Sequence, residues 1–449
     1  MRVPARPPAY TLLLQRLSER DRLADVFMRS HTVGATVGGR YRHWDSIRQM
    51  DPPEGLSSEE WWTLIKSART SDWRTIPLVD RRGERFGFAI TDDMLRMLRR
   101  ADLDLGGSQG MPSGVATPEQ RDRFVRSSLR EEAITSSQLE GAATTRKVAK
   151  EMLLSNRPPR TDDERMIVNN YRAMEAVRAL GAEPLSPEAV LDLQRVVTDG
   201  VLAPTLQGLR RAGRDEDVGV YHSGTPLHRP PPPDELPERL AQMCAFANAD
   251  DTDDGTFLHP ALRAIALHFW LAYDHQFVDG NGRTARALFY WAMRRHGFWL
   301  AEFLSISRLI RQAPAKYGRS FLYTETDGND LTYFLLSQLR IVERATEDLR
   351  TFVDRKTREL RETEALLRPT SSLNHRQVAL LSHALRHPGR SYTVQSHRAS
   401  HGVAYQTARK DLLDLAERGF LKQDRLQRQG RALVFAAPPD LGDRLREPD

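Results

Sequence analysis

Apolar positions three and four apart dominate the middle of the chain, and that period predicts helices. The candidate helices cover roughly 118–139, 162–180, 186–198, 234–248, 258–274, 283–296, 305–326 and 330–365. Gly297 reads as a helix stop, because Arg294, Arg295 and His296 before it suit a C-terminal turn. The first hundred residues mix short helical patterns with one hairpin-like stretch, Thr75–Val79 and Arg85–Ile90 around a polar turn at Asp80–Glu84. Residues 104–118 read as a linker, and Arg368–Ser372 as a second. Beyond it the pattern predicts helices over 376–386, 393–403 and 404–418, the last with Leu412, Leu413, Leu415 and Ala416 on one side. Phe420–Lys422 and Ala432–Phe435 then read as strands around Gln427–Arg431. Three helices followed by a hairpin is the plan of a winged helix-turn-helix. The expected chain is mainly α, in three parts: 1–103, 118–365 and 371–439.

Composition narrows the class. At 449 residues the chain exceeds one ordinary domain. An apolar share of 40% against 28% charged residues excludes a wholly disordered chain. No run reaches the about 18 apolar residues of a membrane helix, and Leu12, Leu13 and Leu14 are too short a stretch for a secretory core. A single cysteine, Cys244, excludes an internal disulfide and a cysteine-built zinc site, which fits a reducing cytoplasm. Between 371 and 439 stand 11 Lys or Arg against 4 Asp or Glu, so this segment alone accounts for the net charge of +6. A polyanionic partner belongs there if anywhere.

The chemistry concentrates in His275–Arg286. A helical pattern precedes this string and another succeeds it, so a Gly-rich loop leads into a helix N-terminus. Glycines let backbone approach a phosphate, and the free amides of the new helix point at it. Arg283 and Arg286 lie three apart on one face, where two guanidiniums can hold two further phosphates. Asp279 suits a magnesium ion (Mg2+) already carried by phosphates. His275 can remove a hydroxyl proton near neutral pH. Singly, each feature also has a structural explanation: a common turn, a surface cap, a helix-end histidine. All of them within twelve residues weaken that explanation.

The string resembles the motif of the Fic family, H-x-F-x-(D/E)-G-N-G-R-x-x-R, through His275, Phe277, Asp279, Gly280, Asn281, Gly282, Arg283 and Arg286. Gln276 stands where Pro is usual and Ala285 where Gly is usual; neither removes a chemical group. The resemblance implies an all-helical core with a small β-hairpin flap. It also implies an enzyme that moves AMP from ATP to a Ser, Thr or Tyr hydroxyl of a target protein. In that reading His275 is the general base and Asp279 the Mg2+ ligand. Gly280, Asn281 and Gly282 form the anion hole, Arg283 takes the middle phosphates and Arg286 the terminal one.

Upstream, Ser136, Glu140 and Gly141 match the family's inhibitory motif, (S/T)-x-x-x-E-(G/N), at the end of the 118–141 helix. The match implies that Glu140 pairs with Arg286 and withholds it from ATP, and that the same carboxylate can position a water for AMP removal. Val218, Gly219, Val220 and Tyr221 fall where the family carries its target-binding flap. Tyr317 and Asp327 fall near its adenine pocket.

Two classes of function stay open. One is a self-inhibited protein adenylyltransferase, with relatives that transfer another group as a variant. The other is a DNA-binding regulator whose core senses nucleotide, with Gln406, Arg409 and Lys410 entering a major groove and Arg428 and Arg431 reaching phosphates. Winged helices also serve in protein docking, including as a homodimer interface.

Overall fold

Helix Pro260–Asp274 buries thirteen of its fifteen residues, because its sequence is apolar all round rather than along one stripe. It packs more extensively on helix Asn281–Arg295 than any other two elements pack on each other. The computed structural model in which this pair lies describes residues 2–106, 118–215, 218–222, 224–249, 257–367, 373–401, 403–424 and 433–445. They fall into two compact units, one from residues 2–106 and 118–349, the other from 350–445.

In the first unit, helices Asp162–Leu180 and Pro187–Thr198 cover the motif helix. Helix Pro118–Leu139 packs against Asp162–Leu180 and against Ile306–Gln312. Most of the expected helices stand within two residues of their sequence bounds. The expected single helix over 305–326 is two, Ile306–Gln312 and Pro314–Thr326. Ala313 between them leaves the helical region at φ −145° and ψ 60°, as the ring of the next residue, a proline, demands. Helix Arg146–Ser155 is an addition to the expected set. Thr145 accepts a hydrogen bond from the Val148 amide at its start, and Asn156 closes it in the left-handed region.

Strands β1 (Trp73–Val79) and β2 (Arg85–Ala89) form the expected hairpin. The hairpin is joined to the 329–331 segment of the same unit. Gly87 accepts from the Leu331 amide at 2.7 Å and donates to the Asn329 carbonyl at 3.2 Å. A Cβ at Gly87 would lie 2.3 Å from the Trp73 indole nitrogen, so only glycine fits beneath that ring. Helix Ser58–Thr70 adds Lys66 and Arg69. Lys66 Nζ reaches Asp327 Oδ1 at 3.1 Å, and Arg69 Nη1 donates to Tyr333 Oη at 2.8 Å. Tyr41 donates to Asp330 at 2.7 Å. Residues 1–103, separable by pattern, thus share buried polar contacts with the 327–333 segment. Strands β3 (Val220–His222) and β4 (Thr225–His228) pair antiparallel with a bulge between Val220 and Tyr221.

The second unit holds helices His375–Arg386, Val394–His401 and Tyr405–Glu417. Strands β5 (Ser391–Thr393), β6 (Lys422–Asp424) and β7 (Val434–Ala436) form an antiparallel sheet in the order β5-β7-β6. β5 is an addition to the expected plan. Leu380, Leu381, Leu412, Leu415 and Phe435 make the core of this unit. Buried Asp411 gathers Arg376 at 2.7 Å, Asn374 at 2.9 Å and His397 at 3.3 Å from the other two helices and the cap of the first. Gln406, Arg409 and Lys410 lie exposed on helix Tyr405–Glu417. Arg428 and Arg431 lie outside the described residues.

Candidate active site

Helix Pro260–Asp274 ends because His275 turns left-handed, at φ 46° and ψ 53°. Gly280, at φ 91°, starts helix Asn281–Arg295. Between these points the loop is held from inside. The Asn281 side chain accepts from the Phe277 amide at 2.9 Å and donates to the Phe277 carbonyl at 2.8 Å. Phe277 is fully buried. Asp279 Oδ1 accepts from the Gly280 amide at 2.6 Å.

Arg210, which no local pattern marks, holds the loop from outside. It is 3% exposed. Its Nε donates to the His275 carbonyl at 2.7 Å and its Nη2 to the Pro231 carbonyl at 2.9 Å, while its amide donates to the Gln276 carbonyl at 2.9 Å. A planar fork with several fixed donors is what a set of divergent carbonyls requires.

Arg286 is 1% exposed. Its Nε donates to Ser136 Oγ at 2.9 Å, and its Nη2 donates to Glu140 Oε1 at 2.7 Å and to the Ser136 carbonyl at 3.2 Å. Burial opposes the Arg286 charge, but Glu140 outweighs it and the pKa lies above the ordinary value. A Cβ at Gly282 would sit 2.2 Å from Glu140 Oε1. The carboxylate therefore occupies space that only glycine leaves free. Arg283, equally buried, donates to Asp279 Oδ2 at 2.8 Å and to the Val197 carbonyl at 3.1 Å. Its Nε has no hydrogen-bond partner among the described residues.

Beside this cluster lies a cavity of about 270 Å³. Glu140, His275, Asn281, Gly282 and Arg286 line it together with Val220, Leu227, Tyr317, Phe321 and Leu322. His275 is pushed down to about 4, first by burial and then by the cationic neighbours His228 and Arg210. Its ring is therefore neutral at pH 7 and free to accept a proton. The Tyr317 hydroxyl is hydrogen-bonded to His268 Nε2 at 2.9 Å.

His228 and Glu325 are cavity residues that no motif in the sequence singles out. His228 Nε2 lies 2.6 Å from the Tyr273 carbonyl and Nδ1 lies 2.7 Å from Glu325 Oε2. Two acceptors on two ring nitrogens require both nitrogens to carry protons. Burial opposes that charge, and Glu325 with the Tyr273 carbonyl outweighs it, raising the His228 pKa. The site thus sets a charged imidazole beside a neutral one. Residues 228 and 275 stand far apart in the chain, so no spacing pattern announces the pair.

Of the sequence candidates, Glu140, Ser136, His275, Asn281, Gly282, Arg286, Tyr317 and Val220 come together at or beside the cavity. Gly280, Asp279 and Arg283 stand on the adjoining loop and helix turn. Gly141, at φ 104°, comes directly after Glu140 where the helix has ended. Val218 and Gly219 lead into β3, and Tyr221 on β3 is 56% exposed. Asp327 is not a cavity residue. It is 2% exposed and bound to Lys66 and to the Tyr333 hydroxyl at 2.7 Å. A few positions decide between the cavity side of a helix end and its far side, and spacing alone does not resolve them.

Residues 184–293 match the family described as Fic/DOC. Over 87 residues the chain is 41% identical to the protein adenylyltransferase Fic of Nematostella vectensis, which is 19% of each chain. Over 139 residues it is 34% identical to the protein of the same name in Drosophila grimshawi, 30% of this chain and 26% of that one. The matched stretches thus span about a fifth to a quarter of these curated relatives. Among solved structures, a Fic family protein of Desulfovibrio desulfuricans G20 superposes with a TM-score of 0.54 at 18% identity, covering 78% of this chain and 98% of that one. At that identity the likeness is one of fold.

Proposed function

Since residues 184–293 match the Fic/DOC family, we propose that the chain is a protein adenylyltransferase that moves AMP from ATP to a target hydroxyl and restrains itself through Glu140. The observation that carries this reading is the buried Arg286 guanidinium, held by Ser136 and Glu140 at the mouth of a cavity that also contains a neutral His275. In the reaction, His275 takes the proton of the target hydroxyl. The hydroxyl oxygen forms a bond to the α-phosphorus, and the bond from that phosphorus to the departing pyrophosphate breaks. The amides at the start of the motif helix and Arg283 face the growing negative charge, and Arg286, once released, receives the terminal phosphate.

Asp279 fits Mg2+ by its donor chemistry. A single half-exposed carboxylate beside a helix N-terminus suits an ion that arrives on phosphates, and no three-ligand cluster exists among the described residues. Held by Asp279, such an ion would offset phosphate charge. The apolar wall of Tyr317, Phe321 and Leu322 suits a flat purine. The exposed Val220 and Tyr221 on β3 suit strand addition by a target segment. A water beside Glu140 supplies the route for AMP removal. Autoinhibition predicts that incubation with α-labelled ATP gives on the order of tenfold more labelled protein with Glu140→Gly than with the wild type, and none with His275→Ala. Equal silence in all three overturns the reading.

A second reading concerns the second unit. We read its three helices and three-stranded sheet as a winged helix, with Gln406, Arg409 and Lys410 on one helix supporting a nucleic-acid face. Duplex binding by the full chain that weakens steeply with salt supports it, and salt-independent binding or none opposes it. In that reading the Fic core serves a DNA-bound regulator by sensing nucleotide. A docking or homodimer role predicts association without DNA.

A further inference from the structure

The Glu140–Arg286 pair is only one of the contacts that hold the inhibitory helix in place. The Glu140 side chain is 34% exposed, so solvent screens its end of the ion pair. Something else must fix the register of helix Pro118–Leu139 so that Glu140 reaches Arg286. The same helical stripe carries a second carboxylate two turns earlier. Positions 132, 136 and 140 are four apart and share one face.

Glu132 is 1% exposed. Its Oε2 accepts from Ser305 Oγ at 2.9 Å and from the Ser307 amide at 3.1 Å, and its Oε1 accepts from Ser307 Oγ. No contact ion pair answers it among the described residues. Burial raises its pKa, and these donors and the field of Arg286 work against that rise. The 304–307 segment is in turn fastened to the motif helix. Tyr290 Oη accepts from the Ile306 amide at 3.0 Å and donates to the Leu304 carbonyl at 3.3 Å. Tyr290 lies one turn beyond Arg286. The inhibitory helix and the motif helix are therefore joined by two rungs. One, at the cavity, joins buried Arg286 to Ser136 and to the partly exposed Glu140; the other runs through buried Glu132, Ser307 and Tyr290, with the partly buried Ser305 beside them.

We propose that Glu132 is the positioning residue of the brake: its buried rung sets the register that lets Glu140 capture Arg286. This rests on the reading of Glu140 as inhibitor. A buried carboxylate with hydroxyl and amide donors is suited to the task. Its donors lie in fixed directions, and any slide of the helix strands an uncompensated charge. The register is thereby fixed by a contact that ATP does not compete for.

The test is a double-mutant comparison in the full chain, reading labelled AMP and, separately, ATP affinity by calorimetry. Glu132→Ala should raise AMP transfer about five- to tenfold and tighten ATP binding by a similar factor, with a cooperative thermal transition retained. Glu132→Gln, which keeps an acceptor for the Ser307 amide and adds donors for the rotatable hydroxyls, should stay within about twofold of wild type. In a Glu140→Gly background, Glu132→Ala should add nothing. A merely structural carboxylate would lower activity in both backgrounds, and that result overturns the proposal; so does an equal gain in both. Should Glu132→Ala not fold, the paired change Ser305→Ala with Ser307→Ala weakens the same rung from the other side. It should give a smaller gain that also vanishes in Glu140→Gly, and no gain in the wild-type background overturns the proposal. If Glu140→Gly itself gains nothing, autoinhibition falls; if it gains and Glu132→Ala does not, only the role of Glu132 falls.

Discussion

Gly282 shows how much of this site is a matter of one missing carbon. Its absent Cβ leaves room for Glu140 Oε1, and the same substitution would also come within 2.9 Å of Arg286 Nη1. In the proposed reading, the space freed when Glu140 swings away is the space a phosphate would enter. Gly282→Ala should therefore disrupt both states. In a Glu140→Gly background it should cut labelled AMP incorporation by about tenfold or more, and incorporation that held steady would show that the space serves the carboxylate alone. A second prediction concerns His275. With a pKa of about 4, the proposed base stays neutral through the physiological range. The kcat/KM profile of Glu140→Gly should be level from about pH 6 to 8 and should fall below about pH 5. His228→Gln removes a neighbouring cation and should move that acid limb upward; an unmoved limb would show that His228 does not act on the base. His275, Gly282 and Arg286 were legible in the sequence as candidates because they fall within one stretch of twelve residues. His228 and Arg210 were not, because they reach the loop from segments with no pattern of their own.

At the scale of elements, helix ends carried most of the differences from the sequence reading. Apolar period marks where a helix runs but not where a proline divides it, as Ala313–Pro314 does. Nor does it tell which side of a terminus a residue leaves by. Asp327 does not line the cavity; it receives Lys66 and the Tyr333 hydroxyl, with Arg69 3.7 Å away. Asp327→Asn should accordingly lower the denaturant midpoint, at a cost of about 2–4 kcal/mol for leaving buried partners unanswered. The KM for ATP should hardly change. A raised KM with unchanged stability would return Asp327 to the nucleotide. The β1–β2 hairpin was legible from its alternation and turn, yet its pairing with Asn329 and Leu331 was not, since the alternation of one strand names no partner.

For the molecule as a whole, buried histidines tie stability to pH. Burial pushes His43 and His268 down to about 3. Their folded pKa lies below that of the unfolded chain, so the unfolded state takes up protons first as the pH falls through about 6.5. The stability they contribute is whole above that point and is lost progressively toward pH 3; His228, with a raised pKa, acts in the opposite sense. Urea unfolding at about pH 7 and about pH 5 should show a lower midpoint at the more acid value, and His268→Phe should lose part of that difference. An unchanged difference in the variant would show that His268 takes no part in it. The chain's order of residues by itself determined the helices, the glycine hinge and the two arginines, because periodicity and a short motif are local properties. It also located Ser136 and Glu140 as a candidate brake. The tertiary structure brings Glu140 to Arg286 across 146 residues, as the motif match implied, and it alone decided that Glu132 anchors the same stripe and that the first hundred residues fold against the 327–333 segment. Those are contacts between distant segments, and their geometry comes from how the helices pack.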